Sequence, residues 1–204
     1  MSRSEGFLTK DMTYSCAIFE DLDADLAAEY QDQRAPAKSG GKLSPSSDED
    51  MQSSALHDNP STRDELYDAQ MRKLNHIIAK AKISSGQKVL EIGSGWGSMA
   101  ILIAQRFPDT TVDALTLSVQ QQILAQARVK EAGLEDRVTV HLMDYRAMPS
   151  SWQSSFDRVI SIEMIESVGL EFLTAYWRVV DWAMKKQGGV GVVQVITIPE
   201  ARTF

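Results

Sequence analysis

The sequence predicts an α/β fold, a doubly wound parallel sheet with helices on both faces, and three observations carry that expectation. From Ser61 onward, short apolar runs alternate with amphipathic stretches of helical length, and the connections between them are short. The apolar run at 88–92 opens into a turn with glycine at every second position (Gly93, Gly95, Gly97), followed by helical spacing through Met99, Ile101, Leu102 and Ala104. The chain has 204 residues, 43% of them hydrophobic, enough for one ordinary domain with a real core.

The elements follow in order. Residues 1–34 hold an apolar and aromatic patch at 12–19 and then an acidic helical stretch; they form a first unit. Residues 35–60 are rich in Ser, Gly, Pro and Asp and read as a flexible linker, its acidic run at 47–50 solvated. The main domain is 61–204. Ser61 and Thr62 are N-cap candidates, each with an acid three residues later, Asp64 and Glu65. Leu66, Met71, Leu74, Ile77 and Ile78 then recur at helical spacing, and Gly86 is expected to end that helix. Strands are expected at 88–92, 111–115, 138–143, 157–162 and 190–198, with helices from the glycine turn to 107, at 119–132 and at 170–184. Five strands are recognisable, so the sheet reads as incomplete. The last strand would leave an apolar edge that a partner or a second copy covers, unless the sequence is a shortened version of a longer design.

Charge and composition exclude several classes. A net charge of -7 lacks the footprint of a nucleic-acid binder. Cys16 is the sole cysteine, which suits a reducing compartment and a cytoplasmic location. The N-terminus has no apolar core of signal-peptide length, and no run is long enough to span a bilayer; 190–198 is broken by Gly191, Gln194 and Thr197. His57, His76 and His141 show no metal-ligand spacing, so no metal site is expected. Arg72, Lys73, Lys80, Lys82 and Lys88 form a modest basic cluster, which predicts at most transient, salt-sensitive membrane-surface contact.

The glycine spacing differs from the G-x-G-x-x-G of dinucleotide sites. The acid at the matching distance, Asp113, should point away from a ribose, because side chains alternate along a strand and Thr116 takes the ribose-facing place. S-adenosylmethionine (SAM) fits better. Glu91, just before the glycines, can sit near the methionine amino group, a polar residue after strand two can bond the ribose, and Asp144 after strand three can reach the adenine amine.

Read together, certain segments resemble the cyclopropane fatty acid synthase family (mycolic acid cyclopropane synthase-like) of SAM-dependent methyltransferases, in particular its plant and fungal branch. They are the patch at 12–19, the turn EIGSGWGS from Glu91, Leu115–Gln121, Asp136-Arg137-Val138, Asp144-Tyr145-Arg146, 156–166 and 194–200. The resemblance covers roughly 8–34 and 64–202. It implies a Rossmann-like class I methyltransferase, C-terminally truncated, with residues 1–34 as a lid on the cofactor. It further implies that Tyr14 and Ser15 close over the methionine end of SAM, and that Gly93, Ser94, Gly95, Trp96 and Gly97 form the turn beneath it. Thr116, Leu117 and Gln121 would hold the adenosine side, Asp144 and Tyr145 would flank the adenine, and Ile162 would supply backbone near the reaction centre. In the family a bicarbonate serves as base, held by a cysteine, a glutamate, a histidine and a later tyrosine. Cys16 and Glu166 occupy the first two positions and are the catalytic candidates. The usual Glu-His is Glu166-Ser167 here, and the strand-five histidine of the bacterial enzymes is Gln194, as in the plant-like branch.

The resemblance implies methyl or methylene transfer to the double bond of an unsaturated fatty acyl chain, that is, a transferase of lipid biosynthesis. A small-molecule N- or C-methyltransferase shares these features, and a non-catalytic, SAM-binding or partner-dependent module remains a third reading. Taken alone, Cys16 also fits a small buried apolar residue, Glu166 a helix N-terminal charge, and Asp144 a turn opener. Glu163, three residues before Glu166, reads as structural, and Trp152, Trp177 and Trp182 read as packing groups.

Overall fold

The computed structural model describes residues 9–20 and 64–197. Five strands, β1 (Lys88–Ile92), β2 (Thr111–Thr116), β3 (Val138–Leu142), β4 (Arg158–Ile162) and β5 (Val190–Gln194), lie parallel in the order β3-β2-β1-β4-β5. Helices α1 (Glu65–Ala81), α2 (Ser98–Arg106), α3 (Val119–Glu131) and α4 (Leu173–Ala183) connect or precede them. The order reverses at β1, and in such sheets ligands bind at the carboxyl ends beside that switch.

The period-two alternation of side chains sorts the core onto two faces. Val89, Val112, Ala114, Val138, Val140 and Ile160 pack under α1, α2 and α3, with Leu74, Ile77, Ile103 and Val129 supplied by the helices. Leu90, Ile92, Leu115 and Val159 face the other way, onto Phe156 and onto Tyr176, Val180 and Ala183 of α4 or its end. Strands buried on both faces must be apolar almost throughout, which is why β1 and β4 stood out in the sequence. At the opposite end of the sheet Arg158 is buried. Its guanidinium donates to the carbonyls of Lys82 (3.0 Å), Asp157 (2.7 Å) and Gly188 (3.0 Å), tying three turns together.

Several boundaries differ from expectation. The N-cap of α1 is Asp64, whose side chain accepts from the Tyr67 N–H at 3.0 Å; Ser61 and Thr62 lie outside the described residues, as do the linker and residues 21–34. The helix ends at Ala81 rather than Gly86, because Lys82 adopts the left-handed conformation (φ 52°) and its N–H closes on Ala79. The helix expected at 170–184 is broken into a short 3₁₀ turn, Leu170–Phe172, and α4. The strand expected at 190–198 stops at Gln194, opposite Ile162, where β4 itself ends and no parallel neighbour remains to pair with.

Candidate functional site

The turn after β1 is fastened to β2, since the N–H groups of Gly93 and Ser94 both donate to the Leu115 carbonyl at 3.0 and 2.8 Å. Gly95 has φ 51°, and a Cβ there would lie 3.0 Å from Cε1 of Tyr14. Only glycine therefore lets the tyrosine ring approach the turn so closely. Gly97 (φ 85°) starts α2, and a Cβ there would meet the Ala125 Cβ at 3.1 Å, so this glycine brings α2 against α3 rather than facing a ligand.

Residues 9–20 pack across the carboxyl edge of the sheet. Arg128 on α3 donates to the carbonyls of Trp96 (2.6 Å) and Asp11 (2.9 Å), joining the glycine turn to this segment. Ser98 Oγ also donates to the Asp11 carbonyl. From α1, Gln70 Nε2 reaches the Ser15 carbonyl at 2.7 Å, Lys73 Nζ donates to Ser15 Oγ, and the Ala69 carbonyl accepts from the Ile18 N–H at 3.2 Å.

Two adjoining cavities lie under this segment. The larger, about 420 Å³, is lined by Tyr14, Gly95, Thr116, Gln121, Asp144 and Tyr145 among others. The smaller, about 80 Å³, is lined by Ser15, Glu91, Ser94 and Trp96. Tyr14, Gly93, Gly95, Ile162 and Glu163 line both. A polar chain crosses the larger cavity: Thr116 Oγ1 donates to Gln121 Oε1 at 2.7 Å, and Gln121 Nε2 donates to the Tyr14 hydroxyl at 3.3 Å. Leu117, Met143, Met164, Val168 and Phe172 make much of the remaining wall apolar, and Leu117 at the rim is 72% exposed.

The smaller cavity is electrostatically unusual. Glu91 is 3% exposed and its Oε2 has no hydrogen-bond partner among the described residues; Ser94 Oγ is likewise buried and unpartnered. Burial pushes the Glu91 carboxyl up to about 8, against the opposing pull of the Ala100 N–H and the Lys73 charge. Lys73 is 1% exposed, and burial holds its ammonium below the usual lysine range. Unpaired buried polar atoms are costly, so two of them facing one chamber mark a place shaped for a polar ligand. An amino-acid moiety supplies both the cation and the hydrogen-bonding groups that Glu91 and Ser94 lack, so the residues present fit the methionine end of SAM. In the larger cavity, hydrogen bonding from Arg146 holds the Asp144 carboxyl below the usual carboxylate range.

The structure thus gathers Tyr14, Ser15, Glu91, Gly93, Ser94, Gly95, Trp96, Thr116, Leu117, Gln121, Asp144, Tyr145 and Ile162 around the two cavities. Gly97, Cys16 and Glu166 line neither. Glu166 is exposed and its Oε1 accepts from the Ile196 N–H at 2.6 Å. Cys16 is paired with the other acid: its N–H donates to Glu163 Oε1 at 2.8 Å. Asp113 does point away from both cavities and bonds His141 (2.7 Å) and Lys88 (3.4 Å). The basic surface cluster is corrected too, because Lys73 is buried in the α1 face. Its helical spacing with Gln70, Leu74 and Ile77 carried that signal. Arg128 was the other omission, and Glu163, read from the sequence as structural, lines both cavities; its only local signal was that it follows Ile162 at a strand terminus.

The family described as mycolic acid cyclopropane synthetase matches residues 43–204. The chain belongs to that family. Among curated relatives of this family, it is 35% identical over 196 residues to a tuberculostearic acid methyltransferase of Mycobacterium tuberculosis, covering 96% of this chain and 36% of that protein. It is 39% identical over 125 residues to the cyclopropane-fatty-acyl-phospholipid synthase of Escherichia coli, covering 61% of this chain and 30% of that one. The chain therefore spans about a third of the length of these relatives. Among solved structures, a cyclopropane synthase of Mycobacterium tuberculosis shares the fold with a TM-score of 0.65 at 22% identity, over 95% of this chain and 52% of that one. A coclaurine N-methyltransferase, bound to N-methylheliamine and S-adenosylhomocysteine, does so with 0.64 at 19%, over 93% and 42%. The fold is accordingly the Rossmann-like fold of class I SAM-dependent methyltransferases.

Proposed function

We propose that the chain binds SAM in the paired cavities and supports methyl or methylene transfer to the double bond of an unsaturated acyl chain. The observation that carries this reading is the buried carboxyl of Glu91, its Oε2 without a hydrogen-bond partner among the described residues, beneath a glycine turn covered by Tyr14. Bound SAM supplies a methyl group activated by a sulfonium. The chain's own residues then bind and orient. Glu91 and Ser94 meet the amino-acid end. Thr116 and Gln121 offer hydrogen bonds to a ribose, while Asp144 and Tyr145 line the place of the base. Tyr14 and Ser15, with residues 9–20, act as the lid that excludes water. Alignment of nucleophile and leaving group supplies much of the acceleration in such displacements.

The lipid acceptor is favoured by the apolar half of the larger cavity and by its exposed rim at Leu117 and Phe172. Relatives named as a probable fatty acid methyltransferase and a cyclopropane-fatty-acyl-phospholipid synthase agree with it. Transient contact with the lipid surface belongs to this reading; no helix among the described residues is long and apolar enough to cross a membrane.

Titration calorimetry with SAM, followed by transfer of labelled methyl to vesicles of unsaturated phospholipid, tests the reading. Binding with transfer to vesicles and not to amines supports it. A well-folded chain that binds no SAM removes it. SAM binding with transfer to amines alone replaces the lipid acceptor with a small molecule.

A further inference from the structure

At the end of β4 the backbone of Glu163 takes φ 48°, in the left-handed region that a side chain other than glycine, asparagine or aspartate rarely adopts. Such outliers persist where surrounding contacts hold them, and they gather at functional sites. Here the contacts are explicit. Glu163 Oε1 accepts from the Cys16 N–H at 2.8 Å and from Gln194 Nε2 at 2.6 Å. One carboxylate thereby joins the N-terminal segment, the end of β4 and the end of β5, and its residue lines both cavities.

These donors are the positions that the family resemblance assigns to an external anion: the cysteine after Tyr14-Ser15 and the polar residue of the last strand. In this chain they already hold an anion, and it is covalently part of the protein. Glu166, the acid expected to help bind bicarbonate, is turned to the Ile196 N–H instead. A separate bicarbonate does not fit a donor set that Glu163 has satisfied, and its own negative charge would lie against a carboxylate.

We propose that Glu163 is the built-in base of this site, in place of a bound bicarbonate. The inference rests on the methyl-transfer reading for its chemistry, though not for its geometry. A methylated alkene carries one proton too many. The C–H bond breaks, its electron pair completes the new carbon–carbon bond of the product, and the proton passes to the Glu163 carboxylate and from there to water.

Cys16 gives a readout that needs no turnover, because it is the sole cysteine, is exposed, and has its thiol raised by the Glu163 carboxylate beside it. Iodoacetamide alkylation is followed in mildly alkaline, carbon-dioxide-free buffer with and without added bicarbonate. Glu163→Gln removes the charge, and Glu163→Gly also suits the left-handed backbone, so at least one variant folds. Alkylation is expected to speed up roughly threefold or more in both. Added bicarbonate slows it again in Glu163→Gly and leaves the unaltered chain unchanged. In the activity assay Glu163→Gln loses about 100-fold in turnover at saturating SAM, a readout that separates the chemical step from any change in cofactor affinity. Saturable slowing of alkylation by bicarbonate in the unaltered chain, or turnover there that requires added bicarbonate, overturns the proposal. So does an unchanged alkylation rate in Glu163→Gln. Loss of SAM binding in the unaltered chain would instead strike the function proposed above, leaving the alkylation result to decide the place of Glu163.

Discussion

Tyr14 rests against Gly95 so closely that a single added carbon on the glycine would lie 3.0 Å from the ring. The N-terminal segment and the glycine turn therefore form one surface, and each constrains what the other can become.

Gly95→Ala makes both faults at once, a left-handed alanine and a methyl group pressed into Tyr14. The expected cost is about 1–2 kcal/mol of stability. SAM affinity should fall by at least roughly tenfold, because the ring must leave its place over the cavity. Calorimetric titration and thermal melting of the variant check both numbers.

Stability should depend on pH through Glu91. Its carboxyl lies at about 8 in the folded chain against 4.5 in the unfolded one, so between those values the folded state alone retains the proton. Stability then falls as pH rises across that window, by up to ~1.4 kcal/mol per pH unit. Lys73, depressed by burial, contributes with the opposite sign. Glu91→Gln isolates the carboxyl: its melting temperature should decline less from pH 5 to pH 7.5 than that of the unaltered chain, the limits being ~0.5 unit inside the titration range. Equal slopes in the two proteins would dismiss a protonated Glu91.

Thr116→Val removes the hydroxyl that donates to Gln121 and accepts from the Ser118 N–H at 3.1 Å, while keeping the side-chain shape. Gln121 then loses the partner that aims it at Tyr14. A five- to tenfold weaker SAM affinity is expected, equivalent to about 1 kcal/mol. An unchanged dissociation constant would mean that the polar chain across the larger cavity bonds no ligand.

Arg128→Met should loosen residues 9–20 without emptying the core. It deletes the donors to Trp96 and Asp11 but retains most of the side-chain volume. Hydrogen exchange at Tyr14, Ser15 and Cys16 should accelerate by roughly tenfold or more, with the amides of β1 and β4 unaffected. Protection that survives intact would show that α1, Ser98 and Glu163 hold the segment without Arg128.

The sheet was legible because its strands are buried on both faces and have to be apolar, as Val89–Leu90 and Val159–Ile160 are. Endings were less legible. Nothing local announces that Lys82 will turn left-handed, and the apolar run after Gln194 stops being a strand only because β4 offers no further partner. Cavity-lining residues were readable where they stand at or just after strand ends in order, as Gly93, Thr116 and Asp144 do. Glu163 was not, since its meaning comes from Cys16, 147 residues away, and from Gln194 on another strand. Lys73 was misread as surface charge because its counterparts, Ser15 and Glu91, reach it only after the chain has folded back over α1.

Arg158 gathers three carbonyls at the end of the sheet remote from the crevice. At the mouth, Ser161 Oγ donates to the Ile92 carbonyl at 3.1 Å, and β1 and β4 stay paired from Val89 to Ile92. The two central strands are therefore braced at top and bottom alike. A guest entering between them meets walls already set in place, and little of its affinity is lost to ordering them.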